Sequence, residues 1–195
     1  SNLENSEKEK EKNHQVFYYR GNENGYTNNL FWVRTGIGVK KFVHPNDTRQ
    51  GGSDAKIVPK LEPAIRYADI LLMYAEALNE LSASYNILSW DGETAYTISR
   101  DINEMKKGIR PVRIRAGVPD YTSDIYNNKD LFREKLKRER QIELMGEGKR
   151  YYDLRRWKDA PEEESLPIYG CNILMDEDNR ELFHTPVHAW SLRST

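Results

Sequence analysis

The residues best placed to do chemistry crowd between Glu139 and Trp157. Glu139, Glu143 and Glu147 recur at a spacing of four, which sets three carboxylates on one face of a helix that reaches 147. Such a stripe could hold a divalent metal, or divide into an acid and a base. Carboxylate dimetal bundles, however, also draw on Glu-x-x-His motifs. The four histidines, His14, His44, His184 and His188, all lie outside this run. Arginine is the partner that the sequence supplies instead. Asp153 has Arg150 and Arg156 as neighbours three positions away on a helix, and Arg138 and Arg140 lie close by. The expectation is a structural charge network of Glu76, Arg115, Glu139, Arg140, Glu143, Glu147, Arg150, Asp153 and Arg156, with no catalytic residue, no metal and no cofactor. Glu76 sits in an otherwise apolar stretch and is expected to pair with Arg140 or Arg115, because burying an unpaired carboxylate is costly.

Other chemistries lack their constellations. Ser53 stands in Gly51-Gly52-Ser53-Asp54, which is not a G-x-S-x-G elbow. Gly36-Ile37-Gly38 lacks the rest of a dinucleotide fingerprint. Pro186, between His184 and His188, spoils the helical spacing that a two-histidine metal site requires. The single cysteine, Cys171, excludes an intrachain disulfide and a cysteine-rich zinc site. Aromatic residues remain. A sugar ring stacks on a flat aromatic face, and Trp and Tyr add a polar tip to an apolar body. Tyr26, Trp32 and Trp90 fall in or beside turn-rich segments and are the candidate ligand contacts. Trp32 also reads as the core residue of a strand, and Trp90 as the hydrophobic staple of a helix capped at Asp91. Tyr151, Tyr152 and Trp157 read as packing residues, while Tyr121 and Tyr126 fit either role.

The elements that must position these residues change character along the chain. Residues 1–14 are a solvated charge run, too polar to offset the entropy of ordering them. Residues 16–19, 30–33 and 39–43 are β-prone and separated by turn residues, with a loop over 46–56. Pro63 suits a first helical position. From Ala64 to Leu81, one row of Ala64, Ala68, Leu71, Ala75 and Leu78 and another of Tyr67, Ile70, Tyr74, Ala77 and Leu81 cover most of the circumference. A helix apolar on so many sides is expected to be buried between neighbours. A second helix is expected from the Asp91-Gly92-Glu93 cap to about Ile109, where Pro111 interrupts it. Asn128 caps a third from about Lys129 to Met145. Gly146 and Gly148 flank a break, and a fourth helix, Lys149 to Lys158, ends near Pro161. Residues 161–195 read as irregular.

The chain has 195 residues, enough for a sizeable core, but only 37% are hydrophobic. Thirty basic and 31 acidic residues nearly cancel, which argues against a nucleic-acid binder. No apolar run approaches the roughly 20 residues of a membrane span.

Three runs carry a family resemblance. Arg66-Tyr67-Ala68-Asp69-Ile70-Leu71-Leu72-Met73-Tyr74-Ala75-Glu76-Ala77-Leu78-Asn79 resembles a helix signature of SusD/RagB proteins. Arg113-Ile114-Arg115-Ala116-Gly117-Val118-Pro119 resembles that family's arginine-rich helix end, and the 139–157 run resembles its E-R-R-x-E-L-x-x-E-G-x-R-x-x-D-L-R-R-W block. Gly38-Val39-Lys40-Lys41-Phe42 matches the strand before the first block, so the likeness covers about residues 37–170. The chain departs from the pattern at Pro111, in a helix that usually runs on into the arginines, and carries no N-terminal lipid-accepting cysteine.

The resemblance implies a mainly α fold of tetratricopeptide-like helical hairpins, of the α-α superhelix type, with a small β/loop N-terminal segment, and a fragment of a larger SusD-like body. It implies a strand/loop segment over 1–60, a helical region over 61–160 and an irregular, truncated segment over 161–195. It implies no enzyme. The whole protein would capture glycans, or peptides in the RagB branch, and deliver them to a TonB-dependent transporter (SusC/RagA-like). It would face outward on the outer membrane, held by a lipid anchor outside this fragment. The alternative is a helical-repeat scaffold that binds a protein partner and no nutrient.

Overall fold

The computed structural model describes residues 18–21, 25, 33, 35–39, 41–44, 46–49, 55–61 and 63–188. The chain divides into two compact units, one of Pro59–Trp157 and one drawn from Ser1–Val58 and Lys158–Thr195. The architecture is mainly α, with a few short strands.

In the Pro59–Trp157 unit, α1 spans Tyr67–Glu80, α2 Ile102–Arg115, α3 Ser123–Asn127, α4 Lys129–Glu143 and α5 Lys149–Trp157. The core gathers Ala68, Leu72, Ala75 and Leu78 of α1, Met105, Ile109 and Val112 of α2, Tyr126 of α3, and Phe132 and Leu136 of α4. Their steps of three and four place one apolar stripe of each longer helix against the others. Burying a side chain such as Phe132 or Ile109 stabilises the unit by roughly 1.5–3 kcal/mol. α1 and α2 approach closely at Gly108. A Cβ built there would lie 2.5 Å from the Leu71 carbonyl oxygen and 2.8 Å from the Ala75 Cβ.

Only part of the expected burial of α1 is realised. Ala68, Ala75 and Leu78 are buried, whereas Tyr67, Ile70, Tyr74 and Ala77 are exposed. The helix also begins after Pro63, at Tyr67. Asp69 lies within the apolar stripe and is itself buried.

The segment before α2 corrects the sequence reading. Asp91-Gly92-Glu93 does not cap a helix. It forms the turn between β3 (Tyr85–Leu88) and β4 (Ala95–Ile98), which pair antiparallel. Asp91 accepts the Glu93 backbone N–H at 3.0 Å, Ser89 and Thr94 bond across the turn, and Gly92 has φ +75°. Asp-Gly is a signal for hairpin turns as much as for caps, and the β-branched residues beyond it decide the outcome. The cap is Asp101, whose carboxylate accepts the Glu104 N–H at 2.9 Å.

Pro111 does not interrupt α2, which continues to Arg115. A proline four residues before a helix end removes one hydrogen bond, to the Lys107 carbonyl. Lys107, Arg110 and Pro111 are all exposed, so water can serve that carbonyl, while buried Ile109 and Val112 hold the helix on the core. α2 then closes with the Val118 N–H on the Arg113 carbonyl and the Gly117 N–H on the Ile114 carbonyl. Asn128 caps α4 as expected, accepting from the N–H groups of Asp130 and Leu131. α4 ends at Glu143, and Gly146 and Gly148, at φ +78° and +72°, supply the left-handed turn residues before α5.

In the other unit, β1 (Thr48–Arg49) pairs with β2 (Ala55–Lys56), and β5 (Tyr169–Gly170) with β6 (Val187–His188). Helix α6 (Ala160–Glu163) contains Pro161 in its first turn, so the proline expected to end a helix begins one. A 3-10 turn, Glu177–Asn179, leads into α7 (Arg180–Phe183). Phe183 is buried and meets Tyr19 edge to face at 6.4 Å. Residues 39–43, expected as a strand, form a turn where described, and the expected strands at 16–19 and 30–33 lie largely outside the described residues.

Candidate functional site

The arginines and carboxylates of the three motif runs converge where α1, α2, α4 and α5 meet. At the centre is Arg140 of α4, 3% exposed. Its Nε and Nη2 donate to the two carboxylate oxygens of Asp153 on α5, at 2.9 and 3.1 Å. Its Nη1 lies 3.0 Å from Asp69 Oδ1 on α1, an ion pair without an aligned hydrogen bond. Lys149 Nζ stands 3.3 Å from the other Asp69 oxygen. Asp153 also accepts from Arg156 Nε at 2.8 Å, and Arg156 continues to Glu76 of α1, which accepts as well from the Trp157 indole N–H at 2.7 Å. Two carboxylates thus enclose one guanidinium in a nearly dry place, where charge is tolerated only when paired.

A second cluster closes the ends of the same helices. Arg66, just before α1, donates through Nε to both oxygens of Glu147, at 3.0 and 2.9 Å, and through Nη2 to the Glu143 carbonyl. Glu143 also receives Arg115, from the end of α2. Burial pushes the Glu143 carboxyl up, but the hydrogen bonds from Arg115 and Arg66 outweigh it and hold it below the usual carboxylate range. Glu139 binds Arg113, whose guanidinium lies 3.8 Å over the Tyr121 ring, and accepts the Tyr121 hydroxyl at 3.0 Å. Burial pushes the Tyr121 and Tyr126 hydroxyls well above the usual phenol range, and the Tyr126 hydroxyl donates to Asp120 at 2.7 Å. Arg133 of α4 forks onto both oxygens of Glu80 at 2.7 and 2.6 Å.

Each of the three glutamates at four-residue spacing therefore faces an arginine, and among the described residues no group of three or more His, Cys, Asp or Glu is placed to hold a metal ion. Glu76 does pair with an arginine, but with Arg156, not with Arg140 or Arg115. Arg140 is occupied by two aspartates and Arg115 lies at the far end of α2, beside Glu143. Arg150 is half-buried. Sequence reasoning missed Arg66, Asp69 and Arg113. The available signal was Asp69 itself, an acid inside an apolar row just as Glu76 is.

The aromatic candidates separate. Tyr26 and Trp32 lie outside the described residues. Trp90 is 98% exposed at the tip of the β3–β4 hairpin, so it staples no helix; with no helix starting at Asp91, it has no fourth helical residue to pack on. Tyr151 and Tyr152 are exposed on α5 and are not core residues, whereas Trp157 is half-buried beside Glu76. An open depression of about 550 Å³ on α2 is lined by Asn103, Lys106, Lys107, Arg110, Pro111 and Asp120.

Comparison with known proteins places the chain among relatives. The chain is 34% identical over 98 residues to SusD-like protein P38 of Formosa agariphila, covering 50% of this chain and 17% of that protein. It is 32% identical over 118 residues to SusD-like protein P2 of the same organism, covering 59% of this chain and 19% of that protein. The matched part thus spans less than a fifth of either relative. No solved structure matches. The SusD family profile matches residues 2–186, nearly the whole chain, and the chain belongs to that family.

Proposed function

We propose that this chain is part of a non-catalytic cell-surface protein that captures glycans and delivers them to a TonB-dependent outer-membrane transporter of the SusC/RagA kind. The observation that carries the reading is the family match over residues 2–186. The charge clusters support it: their arginines and carboxylates are committed to each other, which suits a scaffold. The helical region 61–160 serves as that scaffold, with 1–60 leading into it and 161–195 following. Among the described residues no helix is long and apolar enough to cross a membrane. Attachment is through a lipid anchor outside these residues, with the protein facing outward.

The test uses the full-length protein, with oligosaccharides and peptides titrated by calorimetry and co-purification with the transporter encoded beside it. Saturable binding of an oligosaccharide without turnover supports the reading. Hydrolysis of the added glycan, or binding of peptides alone, overturns the glycan assignment. A second reading, a helical scaffold for a protein partner, is favoured by the exposed row Tyr67, Ile70, Tyr74 and Ala77 on α1. It predicts partner binding that substitutions in that row abolish.

A further inference from the structure

Among the described residues the β3–β4 hairpin pairs with no third strand, and its residues are exposed or half-exposed along both strands. A lone two-stranded hairpin is marginally stable in water. One face of this one is apolar, with Tyr85 opposite Ile98 and Ile87 opposite Tyr96. At the tip stands Trp90 with its indole in solvent. Between Glu80 and Arg100 there is no lysine or arginine, and Asp91 and Glu93 follow Trp90 in the turn, so the tip is acidic with an aromatic point; the Asp91 carboxylate accepts from Ser89 and the Glu93 N–H, and the Glu93 side chain is exposed.

Its chemical complement lies on the same unit. The depression on α2 sets Lys106, Lys107 and Arg110 around Pro111, three cations against two carboxylates, Asp120 in its lining and Glu104 beside Lys107. Lys106 lies 5.2 Å over the Tyr126 ring, Lys107 contacts Glu104, and Arg110 stands 3.9 Å from Asp120. In the last two contacts the cations, Lys107 and Arg110, are exposed and can also face an arriving anion. The hairpin does not fill the depression of its own chain, because Trp90 would then be covered.

We propose that the hairpin tip of one copy seats in the α2 depression of a second copy. Trp90 lies over Pro111 and the Arg110 guanidinium, and Asp91 and Glu93 face Lys106 and Lys107. An indole face takes a guanidinium well, and opposite charges at the rim fix the register. A twofold arrangement uses the contact twice and closes the assembly. Both matter, since one knob covers only part of the roughly 800 Å² per partner of a stable interface. A convex acidic knob is ill suited to enclosing a sugar, and anionic lipid would repel it.

The experiment is sedimentation equilibrium of the full-length protein, freed of its lipid anchor, over a wide concentration range at low and high salt. The expected result is a mass rising from that of one copy towards twice that, with weaker association at high salt. Trp90→Ala weakens association at least about tenfold, as loss of a central aromatic anchor does. Glu93→Lys and Lys107→Glu each weaken it, and the two together restore it. All three side chains are exposed, and circular dichroism confirms that each variant is folded. A monomer at every concentration, association unchanged by Trp90→Ala, or a charge exchange that fails to restore it would each overturn the proposal.

Discussion

Arg140→Met tests whether the centre of the fold is a guanidinium held between two aspartates. The methionine keeps most of the packed stem and removes the charge. Two hydrogen bonds to Asp153 and the 3.0 Å contact with Asp69 disappear. Both carboxylates stay buried, but neither is abandoned. Asp69 keeps Lys149 at 3.3 Å, and Asp153 keeps Arg156 at 2.8 Å. Removing one partner of a buried pair costs roughly 3–5 kcal/mol, and the remaining cations place this case near about 3 kcal/mol. In a chain of this size that lowers Tm by about 6–12 °C. Urea unfolding reports it as a lower midpoint with an unchanged slope. The triple variant Asp69→Leu, Arg140→Met, Asp153→Leu removes the stranded charges as well, and most of the loss is recovered. Lys149 and Arg156 then lose a partner each, but both reach solvent. A single variant within about 0.5 kcal/mol of the parent would refute the burial of the pair. A triple variant as unstable as the single one would show that packing, not stranded charge, accounts for the loss.

Gly108→Ala brings a methyl against the Leu71 carbonyl oxygen and the Ala75 Cβ, and backbone cannot turn aside as a side chain can. The gain in helix propensity, about 1 kcal/mol, is smaller than the overpacking cost of roughly 1–3 kcal/mol, so net destabilisation is expected in urea melts. Asn128→Ala removes the side chain that accepts from Asp130 and Leu131 and costs about 1 kcal/mol, read from the same melts. The pH dependence follows from Glu143, whose folded carboxyl is held below its ordinary value near 4.5. The unfolded chain takes up the proton first, so this contribution is present above about pH 4.5 and is lost as pH falls through the lower folded value. Urea midpoints measured down to about pH 3 should show the loss, and Glu143→Gln should flatten it.

The sequence made the longer helices legible because their signals were redundant. Asn128 caps α4, the apolar steps of three and four continue through Phe132 and Leu136, and Gly146 and Gly148 stop the chain before α5. The hairpin was illegible because Asp91-Gly92 serves both a turn and a cap, and the decisive cross-strand pairs, Tyr85 with Ile98 and Ile87 with Tyr96, are separated in sequence. Pro111 misled for a different reason. Its cost depends on whether the orphaned carbonyl faces water, which is a tertiary fact. The charge network was visible as a composition of acids and arginines, but its wiring was not. Glu76 meets Arg156, 80 positions away, because the fold brings α5 beside α1 there, and helix spacing alone contains no such information.

The two kinds of polar and aromatic group in this chain therefore answer to different pressures. Arg140 is nearly dry and ion-paired with both Asp69 and Asp153, so a ligand could reach them only by breaking pairs whose loss costs several kcal/mol. A substitution among them should alter stability first and any affinity only through it. Trp90 presents the opposite case. Its ring contributes almost nothing to the fold it projects from, so Trp90→Ala should leave the urea midpoint within about 0.5 kcal/mol of the parent. Whatever Trp90→Ala changes in solution is then a change in recognition. If the midpoint instead falls substantially, the hairpin is packed in solution and the exposed tip is not available to a partner.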